Sequence, residues 1–192
     1  MTEVRPRRIS LGRLVGYIVL AFLLSIPVRI YIAQPFLVSG RSMTPTFLPG
    51  DYLVIDELSY RLHAPERGDI IVFQYPLDPD QVFIKRIVAL PGETVQISNG
   101  RVTVVGSDKR SITVLAEPYR AEGPQRKEVS TTTLHDDEYF VLGDDRDVSA
   151  DSRVWGPLVE HFIIGKVSVR LWPLTRIAVL PGEYRFENDQ LR

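Results

Sequence analysis

The sequence predicts a mainly β fold, a coiled-sheet or barrel-like domain, carried behind an N-terminal transmembrane helix. Three observations predict it. Short runs rich in Val, Ile, Phe and Tyr recur from residue 51 onward, each bounded by Gly, Pro or Asp. A Leu-Pro-Gly-acid pattern occurs three times. Residues 14–28 carry no charge and follow a cluster of arginines.

The first element is the anchor. MTEVRPRRISLGR holds Arg5, Arg7, Arg8 and Arg13, and LVGYIVLAFLLSIPV follows without a charge. Fifteen helical residues rise roughly 22 Å, short of a ~30 Å hydrocarbon core. The side chains of Arg13 and Arg29 can reach outward and IYIA extends the apolar run, which gives a span over 12–33. A cleaved secretory signal would need small residues at both recognition positions, yet Tyr31-Ile32-Ala33 precedes Gln34. A buried core helix fits the basic flank poorly. By the positive-inside rule, residues 1–11 form a cytoplasmic basic segment and residues 34–192 an extracytoplasmic β domain. The expected location is the cell (inner or plasma) membrane, crossed once.

The strands follow in order. DYLVIDE (51–57), DIIVFQY (69–75), VFIKRIVAL (82–90), ETVQI (93–97) and RVTVV (101–105) have strand composition and turn residues at their ends. Ser98-Asn99-Gly100 between the last two is a type I′ hairpin signal, because both turn residues need positive φ. Pro-Gly at 49–50, 91–92 and 181–182 describes type II turns, with proline second and glycine third. Residues 106–137 are polar and predict a flap inserted in the sheet. EYFVLGDD (138–145) and FIIGKVSVRLWP (162–173) resume the β pattern.

Composition excludes several function classes. Net charge is -1 and the charged fraction 24%, with no basic stripe, so no nucleic-acid partner is expected. There are no cysteines, hence no disulfides and no thiolate metal sites. His63, His135 and His161 lack zinc-type spacing, and no calcium loop is present. No metal and no cofactor are expected.

In SGRSMTPTF (39–47), Ser42 raises the question of what would remove its proton, since no histidine lies in a stretch resembling a catalytic loop. Strand periodicity supplies a candidate: Lys85 falls between Phe83 and Ile87 on one apolar strand face. Burial there disfavours the ammonium and lowers its pKa. A depression of about two units costs near 2.7 kcal/mol and raises the neutral fraction at pH 7 from under about one in a thousand to the order of a few per cent. A lysine so shifted is a competent general base. Taken alone, Lys85 also fits a strand lysine whose stem packs while its head reaches water, and Ser42 fits an ordinary turn serine.

GDDRDVSADSRVWGP (143–157) unites them, since its run of aspartates with two arginines and two serines is too charged for a simple turn. Three segments in this order, GRSMTPT, RGDIIVF with FIKRIVALPGE, and GDDRDVSADSR, resemble bacterial type I signal peptidases, the membrane-bound Ser/Lys endopeptidases. The resemblance covers roughly residues 35–172, with the anchor in its expected place and the compact, single-anchor form implied. It implies Ser42 as nucleophile, Lys85 as general base, and Ser149 as the hydroxyl that orients the lysine. Met43 would pack beside the nucleophile and help shape the substrate pocket. Asp151 and Arg153 match an ion pair that holds the loop, with Asp144 and Arg146 in similar structural work. Arg146, Arg153 and Arg86, the last on the opposite strand face, are suited to neutralise acids that would otherwise raise the pKa of Lys85.

The implied function is removal of N-terminal signal peptides from exported preproteins, with cleavage after small residues at -1 and -3. Membrane lipid and the export machinery are further expected partners. Phe36, Leu37, Phe47 and Leu48 fit either a lipid interface or the core. Two departures stand out: Gly40 occupies a position where some members carry an oxyanion-binding hydroxyl, and Asp145 and Val148 replace common asparagines. With Gly40, the Ser42 backbone N–H is the main oxyanion donor and the substrate carbonyl can approach closely. Two rival readings stand beside this one. A self-cleaving repressor-type protease would need a DNA-binding module and no anchor. The other is a catalytically inactive, membrane-anchored β interaction domain.

Overall fold

The computed structural model describes residues 11–31, 34–121, 128–184 and 186. It begins with a 21-residue helix, α1 (Leu11–Tyr31). Residues 32 and 33 of the expected anchor, and the side chains of residues 22 and 24–31 within it, lie outside the described set. Among the described residues no helix is long and apolar enough to cross a membrane.

From β1 (Gln34–Leu37) the chain builds a large antiparallel sheet. Its other strands are β2 (Tyr52–Asp56), β3 (Ile70–Tyr75), β4 (Asp78–Ala89), β9 (Glu138–Leu142), β10 (Leu158–Val159), β11 (Ile163–Trp172) and β12 (Ala178–Val179). The order is β1-β2-β11-β3-β4-β9-β10, with β12 beside β11. Between β4 and β9 the chain inserts a second sheet of β5 (Thr94–Ser98), β6 (Arg101–Val105), β7 (Ile112–Val114) and β8 (Val129–Thr133), in the order β7-β6-β5-β8. The polar stretch 106–137 thus supplies two strands. Two one-turn helices, α2 (Ser59–Leu62) and α3 (Ser152–Trp155), complete the elements that bear on the site.

The turns carry the backbone their residues demand. Asn99 and Gly100 have φ of 49° and 74°, the two positive values a type I′ hairpin needs. At the three Pro-Gly turns the glycines have φ of 92°, 76° and 76°, and the residue that follows each donates its N–H to the leucine before the proline.

The large sheet is apolar on both faces. Ile70, Val72 and Ile84 pack with Met43, Phe47, Leu53 and Ile55 on one side. Ile71, Phe73 and Ile87 pack with Tyr139, Val141 and Leu158 on the other. The far ends of β4 and β9 join a third cluster, in which Val88, Ala89, Phe140 and Leu142 meet Val95, Ile97, Val102 and Val104 of the second sheet. Residues 84–89 of β4 are therefore buried at every position.

The barrel-like expectation is corrected to an open sheet. Its path ends at β1 and β10, and no described strand closes it. Within the sheet β4 is unevenly paired. Its pairing with β9 covers only Arg86, Ile87 and Ala89, while on the other side β3 pairs along residues 82–86. Residues 81–85 thus have one edge with no described strand partner, and a cleft opens there.

Candidate active site

The cleft, about 420 Å³, is bounded by Phe36 and the loop 39–42, by residues 81–85 of β4, and by Val148 and Ala150. Ser42 sits in a turn closed by the Thr44 N–H on the Arg41 carbonyl at 3.0 Å. Met43 and Phe47, both fully buried, pin that turn to the core. The Ser42 carbonyl accepts the Asp145 N–H at 3.0 Å, and the Thr46 hydroxyl donates to Asp144. The serine is therefore fixed both from below and by the aspartate-rich loop.

Lys85 Nζ lies 2.9 Å from Ser42 Oγ and 3.0 Å from the Ile84 carbonyl oxygen. Residues 43 positions apart in sequence meet because β4 brings its exposed edge to the turn. The lysine is 4% exposed, and its Nζ stands 5.2 Å from the Phe83 ring centre. That ring stacks on Tyr75 at 4.7 Å, which makes the lysine's surroundings aromatic and dry. Burial pulls the Lys85 pKa down from 10.5 to about 8, while the Asp151 and Asp144 charges pull it partly back.

Arginines restrain that upward pull. Asp144 is wholly buried and accepts Arg86 Nε at 2.9 Å and Nη2 at 2.8 Å. Asp151, equally buried, accepts Arg153 Nε at 2.8 Å and Nη2 at 2.9 Å, and it also caps α3. The Arg86 guanidinium further donates to the Gly68 and Gly182 carbonyls and lies 3.9 Å from the Tyr119 ring centre. Each acid is thus closed by a two-point fork, the strongest ion-pair geometry available to a carboxylate.

The other expected residues take several different places. Met43 belongs to the core cluster and does not line the cleft. Ser149 Oγ is buried without a hydrogen-bond partner among the described residues, so it makes no bond to Lys85; the lysine's two bonds go to Ser42 and Ile84. Arg146 pairs with Glu117 and donates to the Gly143 carbonyl, and the partner of Asp144 is Arg86. Gly40 lines the cleft, where a Cβ would meet nothing within 4 Å. Of the four apolar residues near the turn, Phe47 is buried and Phe36 packs on the core, leaving Leu37 and Leu48 exposed.

Sequence reasoning missed three contributors. Gly143 is one: a Cβ there would stand 2.3 Å from Ser149 Oγ and 2.5 Å from the Ser42 carbonyl oxygen, so only glycine lets the loop pass this close. Glu117 and Tyr119 are the others, and they reach the site from within the polar stretch that carries β7 and β8. The Glu-Pro-Tyr at 117–119 was the available signal, an aromatic and an acid inside an otherwise polar run.

A hydroxyl bonded to a largely desolvated amine at the floor of an open cleft suits nucleophilic hydrolysis of an acyl group. Comparison with known proteins agrees. The family model described as signal peptidase, peptidase S26, matches residues 11–172. The chain belongs to this signal peptidase family. Among relatives, a probable signal peptidase I-2 of Synechocystis sp. is 39% identical over 171 residues, covering 86% of this chain and 75% of that one. A signal peptidase I of Leptolyngbya laminosa is 35% identical, covering 84% and 79% respectively. A crystal structure of a signal peptidase I from Enterococcus faecalis covers 55% of this chain and 98% of that one, at 29% identity and a TM-score of 0.46. As a signal peptidase the chain is a serine endopeptidase that removes signal peptides. The inactive interaction domain gains no support.

Proposed function

We propose that Ser42 and Lys85 form the dyad of this signal peptidase, with Ser42 as nucleophile and Lys85 as general base. One observation carries the reading: the 2.9 Å contact between Lys85 Nζ and Ser42 Oγ at the cleft floor. The lowered lysine pKa supports it, because a base must be neutral to accept a proton.

The substrate is an exported preprotein. Its extended segment adds along the free edge of β4 at residues 81–85, where main-chain groups have no described strand partner. Alternate side chains then face the cleft wall, and small residues at -1 and -3 fit it. Neutral Lys85 takes the Ser42 proton as Oγ bonds to the scissile carbonyl carbon. The Ser42 backbone N–H stabilises the oxyanion, and Gly40 leaves room for the carbonyl to approach. As the C–N bond breaks, the lysine ammonium returns the proton to the leaving amine. Lys85 next deprotonates a water that attacks the acyl-serine; as the ester C–Oγ bond breaks, the lysine ammonium returns the proton to Ser42 Oγ and the peptide leaves with a free carboxyl terminus. Asp144, Arg86, Asp151 and Arg153 hold the loop, with Arg146 joining through Glu117. Ser149, adjacent to the dyad and unpartnered, is poised to bond the lysine during turnover.

The sequence also supports a single membrane anchor at 12–33, with residues 1–11 cytoplasmic and the domain from residue 34 outside the cell membrane. The uncharged run 14–28 behind four arginines carries this part. Exposed Leu37 and Leu48, which flank the Ser42 turn in sequence, are suited to rest on lipid, near the point where preproteins leave the export machinery.

The test is cleavage of a preprotein with an Ala-x-Ala site by detergent-solubilised wild type and Ser42→Ala. Cutting at that site by the wild type alone is expected. Equal cutting by both would remove Ser42 from the chemistry.

A further inference from the structure

The cleft carries an unusual charge balance. Among the described residues that line it, only Arg41 and Lys85 are charged and none is a carboxylate. Lys85 is buried and engaged with Ser42. Arg41 is exposed, and among the described residues its guanidinium has no hydrogen bond, ion pair or ring contact. Of the nearby acids, Asp144 and Asp151 are closed by Arg86 and Arg153, while Asp145 accepts the Asp147 N–H, keeps its charge and stands outside the cleft lining. The same cleft is lined by the neutral side chains of Gln81, Val82, Val148 and Ala150. Among the described residues lining the cleft, Arg41, next to the nucleophile, is therefore the one exposed charge.

From this geometry we propose that Arg41 determines specificity for the residues just after the cut, selecting acidic over basic side chains at +1 and +2. The inference rests on the cleft being the substrate site. In an extended peptide, alternate side chains face opposite ways, so those at -1 and -3 take the apolar wall and the one at -2 points away. The positions left within reach of a side chain adjacent to Ser42 are those on the leaving side of the bond. A carboxylate there gains attraction and an ammonium meets repulsion. Because the site is solvent-exposed, each effect is modest, a factor of about two to three, so Asp and Lys should differ about threefold to tenfold. Screening should erode the preference as the Debye length shrinks from about 10 Å at 0.1 M salt to about 3 Å at 1 M.

The experiment uses the full chain in detergent with Ala-x-Ala peptides that carry Ala, Asp or Lys at +1 or +2, compared by kcat/KM at low salt and at about 1 M. Wild type should cut the Asp peptides about threefold to tenfold faster than the Lys peptides at low salt. The ratio should approach one in Arg41→Gln, invert in Arg41→Glu and persist in Arg41→Lys. Equal cleavage of Asp and Lys peptides by wild type, with the Ala peptide cut well, would overturn this inference and leave the cleft assignment standing. A preference that survives unchanged in Arg41→Gln would also overturn it. Failure to cut even the Ala peptide would overturn both.

Discussion

Arg86, one residue along β4 from Lys85, closes a two-point fork on Asp144 with both side chains fully buried. The relationship links the strand that carries the proposed base to the loop that holds the proposed nucleophile. Asp144 takes the Thr46 hydroxyl as well, and its neighbour Asp145 donates its N–H to the Ser42 carbonyl.

Asp144→Asn should therefore be costly despite its small change in volume. It leaves a buried guanidinium without its counter-charge, an effect on the order of 3–5 kcal/mol. Denaturant unfolding of the variant checks the size. Loss of the Asp144 charge also removes one influence that raises the Lys85 pKa, so any residual activity should have its midpoint at lower pH than in the wild type.

Gly143→Ala should damage the site through contact alone. The new Cβ would meet Ser149 Oγ at 2.3 Å and the Ser42 carbonyl at 2.5 Å, and neither is the end of a long flexible chain. Overpacking of this kind costs about 1–3 kcal/mol, and here the relief must displace Ser42 itself. We expect kcat to fall by more than the stability loss explains, measured as turnover of protein verified to be folded.

Lys85→Met should abolish turnover yet stabilise the fold at neutral pH. The folded pKa of about 8 lies below the ordinary 10.5, so below pH 8 the chain must fold with a buried ammonium or shed a proton. Between those values the unfolded chain binds more protons, and wild-type stability rises with pH. At pH 7 the penalty is on the order of 3 kcal/mol, and methionine fills the same space without it. Thermal unfolding at pH 7 and near pH 10 should show the advantage of the variant narrowing at the higher value.

Much of this architecture was readable before any coordinates, and the boundary of what was readable has physical causes. The strand runs and the Asn99-Gly100 and Pro-Gly turns declare themselves because their signals are local: side-chain shape, alternation and permitted φ. Lys85 between Phe83 and Ile87 was legible from period two alone, and Arg86 was placed correctly on the other face by the same rule. The open edge of β4 was not legible, since it depends on where β9 stops pairing. Partner choice was equally hidden. Arg146 selects Glu117 over Asp144, and the demand for glycine at 143 arises from a carbonyl 101 residues away in sequence. Charged residues in a loop announce that pairs exist, while the fold decides which.

The most direct test of the dyad is the pH dependence of kcat/KM, which reports the essential base of the free enzyme. With Lys85 as base, the rate should climb about tenfold per pH unit from pH 6, bend at a midpoint near 8 and level off above it. A flat profile from pH 6 to 9 would contradict a lysine base and with it the central claim.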